Sequence, residues 1–547
     1  MNSLAVRSWQ WLGWRLLTQW HLYLTWARYA GAVFGGLLVL VGGCASLPPP
    51  AERAPSMALV AAGGTTLAEI AEAALAAAPA GHSGLRLLPS GVSALEARLA
   101  LIDAAERSVD AQYFLLADDL SGRLFAQAVC AAAARGVRVR LLIDDLHAAS
   151  SERLLSALAA QPGVQLRLFN PLPVREGSLV RRLLLSLPDL RRIDRRMHNK
   201  LLRVDESFAI VGGRNIADAY FEREGEAEHF IDMDMLLAGS AVAELGAVFD
   251  RFWNSPQAWT HAELAVPAGP NAAHEARPAR EAPFVDDAAQ ATDDTLAAQL
   301  SRRHLALEPA VVEVLADPPE APATPTVAAA SKELGPEGVV MRASLHLLRS
   351  ARDELLMVSP YVVPKEGLFD AIAAAKRGGA RVALLTNSLA TTDEPLAHFG
   401  YARQRPALLR LGVGLHELMP PAAGGEAGGI AARRGSLGRL HAKILVVDHR
   451  RFFVGSMNLD RRSAGRNTEL GLIVESPRLA GELADRIRRV ELPASYAVRP
   501  TPGRTGLEWI AERGGGVWRS EQEPGNLGWT DRLRWAMLGL LLTDDDL

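Results

Sequence analysis

Cysteine is nearly absent. Cys44 and Cys130 are the only two in 547 residues, so no disulfide framework holds the chain. Strong charge of either sign is missing as well. A net charge of −3 and a pI near 6.5 give no general pull towards nucleic acid. No acidic residue precedes Glu52. Lysine is scarce: of 59 basic residues only Lys200, Lys332, Lys365, Lys376 and Lys443 are lysines. What remains is ordinary for a globular protein, with 49% hydrophobic and 22% charged residues and length for two domains. Cys130 lies in an Ala-rich helical run and reads as a buried small hydrophobe.

Two of the five lysines sit in one repeated pattern. His198, Lys200 and Asp205, followed by Gly212-Gly213-Arg214-Asn215, repeat as His441, Lys443 and Asp448, followed by Gly455-Ser456-Met457-Asn458. The runs Leu201 to Val204 and Ile444 to Val447 predict strands, so each histidine and its lysine share a face. An imidazole that can attack or shuttle a proton, beside a fixed ammonium, suits a phosphate ester. In a chain that otherwise uses arginine, lysine here is a specific choice. Asp205 and Asp448 complete the six candidate catalytic residues, though both fall where a strand should turn and a structural role suits them better. The apolar returns 208–211 and 452–454 predict hairpins. Their Gly-containing corners bring backbone N–H groups, Asn215, Asn458 and Ser456 forward as phosphate-binding candidates.

The motif is carried on a longer repeat. Helical spacing over 92–107, a strand over 109–116, a helix from Leu120 closed by Gly136 and a strand over 137–143 form a βαβ pattern. Residues 344–352, 354–358, 367–377 and 382–386 repeat it, and 361–363 is strand-like. The expected organisation is a first lobe at 81–260, an Ala/Pro-rich and partly disordered connector at 261–335, a second lobe at 336–495, and a C-terminal tail at 496–547 with an amphipathic helix. Val311 to Leu315 has the character of a packing segment within the connector, and the Gly/Ala-rich run 422–434 that of a mobile loop.

Residues 1–44 stand apart, and 45–80 reads as a tether with one short helix. A basic start, an apolar run from Ala30 to Val41 and small residues describe a secretory signal. Val41-Gly42-Gly43-Cys44 resembles a bacterial lipobox, with Cys44 as the lipidation site and the outer membrane as the favoured address. The alternative is an uncleaved anchor at 21–43. Either way the catalytic part is tethered to a membrane of the bacterial envelope. The basic run from Arg175 to Arg196, interleaved with leucines, suits anionic lipid as well as a solvated face.

The duplicated motif resembles that of the phospholipase D superfamily. His198-Asn199-Lys200, Gly212-Gly213-Arg214-Asn215-Ile216 with Tyr220-Phe221, Gly455-Ser456-Met457-Asn458-Leu459-Asp460 and Glu523-Pro524-Gly525 resemble its bacterial cardiolipin synthase C branch. The resemblance implies an α/β fold of two pseudo-symmetric lobes, each a mixed sheet flanked by helices, with one active site at their interface. It implies a histidine-linked intermediate and neither metal nor cofactor. His198 is then the nucleophile and His441 the general acid, with Glu469 and Asp232 as acids that orient the histidines. The implied substrates are phosphatidylglycerol and a second phospholipid, phosphatidylethanolamine being possible, and the product is cardiolipin. Both motifs lie in one chain, so a monomer suffices. A hydrolase releasing phosphatidic acid is the alternative. A nuclease is disfavoured by bulk charge, and a binding protein with a dead pocket by two intact motifs.

Overall fold

The computed structural model describes residues 47, 51, 53–59, 63–175, 177–186, 189–222, 228–264, 295–319, 337–420, 437–504, 506–513 and 516–525. Cys44 with its leader, the run 422–434 and the apolar C-terminal segment 529–542 lie outside these residues. Residues 172–190 cluster apart from the unit that contains Pro50–Pro171 and Arg191–Leu547. Within 172–190 the helix Leu179–Leu185 is capped by the Ser178 hydroxyl, which accepts from the Arg181 N–H.

In the larger unit the first lobe is built on β1 (Ser83–Leu88), β2 (Ser108–Tyr113), β3 (Arg138–Asp144), β4 (Val164–Phe169), β5 (Leu201–Val204), β6 (Phe208–Gly212), β7 (Glu228–Ile231), β8 (Asp234–Gly239) and β9 (Ala258–Thr260). β2, β3 and β4 run parallel, joined by helices α1 (Leu120–Ala134) and α2 (Glu152–Ala160). α1 starts where the Asp119 side chain accepts from the Gly122 N–H and stops at Gly136, whose φ of 92° favours glycine. β3 is buried at nearly every position, as a strand covered on both faces must be. β5 and β6 form a tight hairpin with a three-residue turn, in which Asp205 and Glu206 take positive φ.

The second lobe repeats this plan with β10 (Glu308–Ala316), β11 (Glu354–Val358), β12 (Arg381–Asn387), β13 (Gly414–Leu418), β14 (Leu437–Leu440), β15 (Ile444–Val447), β16 (Arg451–Gly455), β17 (Leu470–Glu475) and β18 (Ser495–Pro500). The first sheet runs β9-β4-β3-β2-β5-β6-β8-β1, and the second β18-β13-β12-β11-β15-β16-β17-β10. The orders match strand for strand, and the β15–β16 turn again places two residues, Asp448 and His449, at positive φ. The edge strands β1 and β10 pair with each other, Ser83 opposite Ala310, and join the two sheets. One buried cluster spans both lobes, with Leu201, Val211, Met235 and Phe249 packed in the same core as Val358, Ile444, Val454 and Leu472.

Several expected boundaries move. The connector contains the helix Leu296–Ser301 and β10, which buries Ala310 and Leu315 but carries Glu308, Pro309 and Glu313 and so blends into an Ala/Pro/acid composition. The tether carries the short helix expected there, Thr66–Leu75, which buries Leu67 and Ile70. Its residues 56–58 bond to the first lobe through Arg140 Nη1 to the Ser56 carbonyl at 2.8 Å and the Ala58 N–H to Asp250 at 2.7 Å. The tail begins as sheet, because β18 continues into β19 (Leu507–Arg513) and β20 (Gly516–Ser520). Residues 361–363 form no strand, and Val362 makes a single bridge to Leu459. Cys130 is half-buried rather than buried. Among the described residues no helix is long and apolar enough to cross a membrane.

Candidate active site

The motif histidines enter by the same device in both lobes. The His198 N–H donates to the Thr468 carbonyl at 2.9 Å, and the Met197 N–H to Asp144 at 2.9 Å. The His441 N–H donates to the Ile231 carbonyl at 2.8 Å, and the Leu440 N–H to Asn387 at 2.9 Å. Each histidine is thus hung on the opposite lobe, through the parallel β7–β14 pair and the bridge Met197 to Thr468. The histidines and lysines lie just before β5 and β15 rather than within them, because these cross-lobe bonds hold the backbone there.

The two orienting acids are exchanged between lobes. Glu469 Oε2 lies 2.9 Å from His198 Nδ1, and Asp232 Oδ2 lies 2.6 Å from His441 Nδ1. With Nδ1 occupied, Nε2 of each imidazole is the nitrogen left for a substrate. Glu469 also accepts from the Ser456 hydroxyl, and its backbone N–H and carbonyl are both bonded to Asp317 at 3.0 Å. Asp232 is held by the buried Arg214, whose Nη2 donates to the Asp232 carbonyl at 2.7 Å and which also bonds to the carbonyls of Leu88, Pro89 and Tyr220. Gly213, the counterpart of Ser456, is required there: a Cβ would stand 2.2 Å from Asp232 Oδ1. Of the other first-lobe acids, Glu228 pairs with Arg439 and Glu222 accepts from the Gly91 N–H, so neither reaches His441.

Lys200 and Lys443 are buried, at 1% and 2% exposure, with each ammonium donating to the carbonyl of its own motif histidine. Burial, then the neighbouring ammonium groups, push His198 well below the ordinary imidazole range. His441 is lowered by burial and Lys443, while Asp232 opposes the shift. Burial raises Glu469 to about 7 against the pull of Lys200. Burial would also raise Asp232, but the charges of His441, Lys443 and Arg214 overcome it and hold Asp232 low. Lys443 falls to about 8 by burial, with Asp232 and Glu469 opposing. The pocket therefore holds two imidazoles lowered by burial, His441 beside a carboxylate held low that opposes the shift and His198 beside a carboxyl raised to about 7.

The remaining candidates divide. Asp205 and Asp448, counted with the motif as candidate catalytic residues, instead cap backbone. Asp205 accepts from the N–H groups of Glu106, Arg107 and Ser108, and Asp448 from those of Arg352, Asp353 and Glu354. The carboxylate that leaves a strand turn is the nearest acceptor for the N–H groups that open β2 or β11. Ser456 is not available to phosphate, since its hydroxyl donates to Glu469 and accepts from the Leu470 N–H. Asn215 and Asn458 are buried, and the amide oxygen of each lacks a hydrogen-bond partner among the described residues. The basic run is only partly surface: Arg182 and Arg196 are buried, and Arg196 pairs with Asp144 at 3.1 Å.

Sequence reasoning missed the aromatic walls. Phe114 meets His198 edge-on with ring centroids 5.3 Å apart, and Tyr220 and Phe230 each lie 5.1 Å from His441. It also missed Asp317, and the pair Tyr361 and Asp393, joined by a hydrogen bond of 2.7 Å. Their signal was position, since Asp393 and Phe114 both follow the C-terminal ends of parallel strands, where α/β sheets bind ligands.

Residues 99–253 and 344–490, more than half of the chain, match the family described as cardiolipin synthase, PLD-like domain. Cardiolipin synthase C of Escherichia coli is 34% identical over 439 residues, which cover 77% of this chain and 87% of that protein. Cardiolipin synthase A of Edwardsiella ictaluri is 24% identical over 76% of this chain and 72% of its own length. The solved phosphatidylserine synthase of Haemophilus influenzae superposes with a TM-score of 0.51 over 78% of this chain and 91% of its own, at 14% identity, a likeness of fold alone.

Proposed function

The chain belongs to the phospholipase D-like family of cardiolipin synthase type, an enzyme family, and from that premise we propose that it is a membrane-associated phosphatidyltransferase. It makes cardiolipin from phosphatidylglycerol and a second phospholipid. The observation that carries this reading is the exchange of acids between lobes: each imidazole is oriented by a carboxyl group of the other lobe, so neither lobe alone holds a complete site.

His198 Nε2 attacks phosphorus, and the bond to the head-group oxygen breaks as His441 gives that oxygen a proton. The incoming alcohol then gives its proton to His441 and its oxygen bonds to phosphorus as the P–N bond to His198 breaks. The acids support this division of roles. His441 sits beside the carboxylate held low, which favours an imidazolium, and His198 is the imidazole pushed furthest towards neutrality. Lys200 and Lys443, with the amides of Asn215 and Asn458, hold the non-bridging oxygens. A quenched reaction with labelled donor should leave acid-labile label on a peptide containing His198. Label on the His441 peptide alone reverses the roles. Phosphatidic acid as sole product, with no labelled peptide, sinks the transferase reading in favour of hydrolysis.

Membrane association rests on two features. In the unit 172–190 the helix Leu179–Leu185 exposes Val180 at 67% and Leu184 at 59% beside the exposed Arg181, a face suited to anionic lipid. The lipobox-like Cys44 supplies a covalent anchor. Fatty-acid labelling that marks the wild type but not Cys44→Ser supports lipidation. Equal labelling of both excludes it.

A further inference from the structure

The pocket is symmetric in its histidines and asymmetric in what surrounds them. Beside His198 stands Phe114, which in turn meets His147 at 5.2 Å. Beside His441 stand Tyr220 and Phe230, and the charge of Asp393 reaches both His441 and Lys443. Asp393 follows β12, in the loop that leads to the helix Pro395–Arg410. Its Oδ2 accepts from the Tyr361 hydroxyl at 2.7 Å, which fixes the carboxylate. Its Oδ1 is shut off from solvent and has no hydrogen-bond partner among the described residues. A buried carboxylate oxygen left unpaired is costly, and such a group calls for an explanation.

We propose that Asp393, held by Tyr361, forms a head-group subsite on the His441 side of the pocket. Its unpartnered Oδ1 accepts a hydrogen bond from a second donor group, hydroxyl or ammonium, on the alcohol that leaves or enters there. The inference rests on the transferase reading and adds what that reading lacks, a reason for choosing among alcohols. In-line displacement puts the oxygen that leaves or enters opposite the nucleophilic nitrogen, next to His441. A head group with two donors gives one proton to His441 and offers the other donor to Asp393. Water and a simple alcohol meet only His441. A site built to pair a substrate donor rejects the analogue that lacks it, because its own acceptor is then left unpaired.

The test uses the full chain and a phosphatidyl p-nitrophenyl ester, whose leaving group carries no second donor, so that only the acceptor is varied. Glycerol, ethanolamine and 1-propanol compete at equal concentration and products are identified by mass. Product ratios do not depend on how much enzyme is folded. The wild type should favour glycerol over 1-propanol, and Asp393→Ala should cut that preference about tenfold or more. Asp393→Asn, which keeps an acceptor oxygen, should fall between, and Tyr361→Phe should shift the ratio the same way by less. A wild-type preference for ethanolamine that Asp393→Ala also abolishes assigns the ammonium to the same oxygen. A glycerol preference alone assigns the hydroxyl. An unchanged glycerol-to-propanol ratio in Asp393→Ala overturns the subsite while leaving the transferase intact. A wild type that yields only phosphatidic acid with every alcohol overturns both.

Discussion

Glu469 Oε2 stands 2.9 Å from Nδ1 of His198, a residue 271 positions away in the chain and in the other lobe. Asp232 and His441 form the reciprocal pair. Neither carboxylate needs to touch substrate. Each fixes the tautomer and direction of an imidazole that does. Glu469→Gln and Asp232→Asn should each lower kcat by about 10²–10⁴ with the fold retained. The two losses should not add, since either alone disables one of two groups that act as a unit. Circular dichroism and steady-state kinetics on the single and double variants check this, and full additivity of the losses would contradict a shared site.

The same pair predicts how stability depends on pH. The folded value of Glu469, about 7, lies above the ordinary glutamate value. The folded state therefore keeps a proton that the unfolded chain has released. The stability from this group is full below the unfolded value and is lost as pH rises through about 7. Glutamine cannot ionise and avoids that loss. The Tm of Glu469→Gln relative to wild type should rise between about pH 5 and about pH 8, measured by scanning calorimetry.

Asp205 and Asp448 are predicted to matter for folding rather than chemistry. Replacing the buried Asp205 with alanine leaves three backbone N–H groups without their acceptor and should cost about 2–3 kcal/mol. Asp448, more exposed, should cost less. Turnover per folded molecule should stay within a few-fold of wild type in both, read from denaturant unfolding beside kinetics. A large loss of turnover in a variant of normal stability would return these residues to the chemistry.

Much of this was legible in the sequence because the repeat is written twice. The motif spacing and the recurring βαβ pattern predicted two lobes, and the strand orders match position by position. β10 was legible only as a packing segment at 311–315, because Glu308, Pro309 and Glu313 blend its ends and wet face into the Ala/Pro/acid composition of the connector. β18 to β20 escaped for want of a motif. The pairing of acid with histidine was hidden for a deeper reason. Chain order suggests that each lobe's acid serves its own histidine, and only the lobe-to-lobe bonds at Thr468 and Ile231 exchange them. Ser456 misled in a similar way: a hydroxyl in a Gly-containing corner reads as a phosphate donor until Glu469 is seen to take it.

Activity should fall on the alkaline side as Lys443 loses its proton. Burial lowers its value to about 8, so the ammonium is present below that pH and lost above it. Lys443→Arg carries a cation that does not titrate in this range. Whatever rate it retains should persist to higher pH, and the alkaline limb of log kcat against pH should move up. A limb that stays in place in this variant would assign it to another group.

The two histidines can be told apart by the leaving group. A glyceryl oxygen needs a proton as its bond to phosphorus breaks, whereas p-nitrophenolate leaves without one. With the natural lipid, His198→Ala and His441→Ala should both lose turnover. With the p-nitrophenyl ester, His441→Ala should still release a burst of p-nitrophenol, one per active site, because attack by His198 needs no acid. The intermediate should then persist, since no base activates water or alcohol for the second step. His198→Ala, lacking the attacking nitrogen, should give no burst. The contrast depends on the environment of each imidazole. His198 is driven towards neutrality by burial and two ammonium groups, while His441 keeps a carboxylate 2.6 Å away that favours its charged form. A burst in His198→Ala with none in His441→Ala would exchange the roles, and a burst in neither would place acid catalysis ahead of attack even for this leaving group.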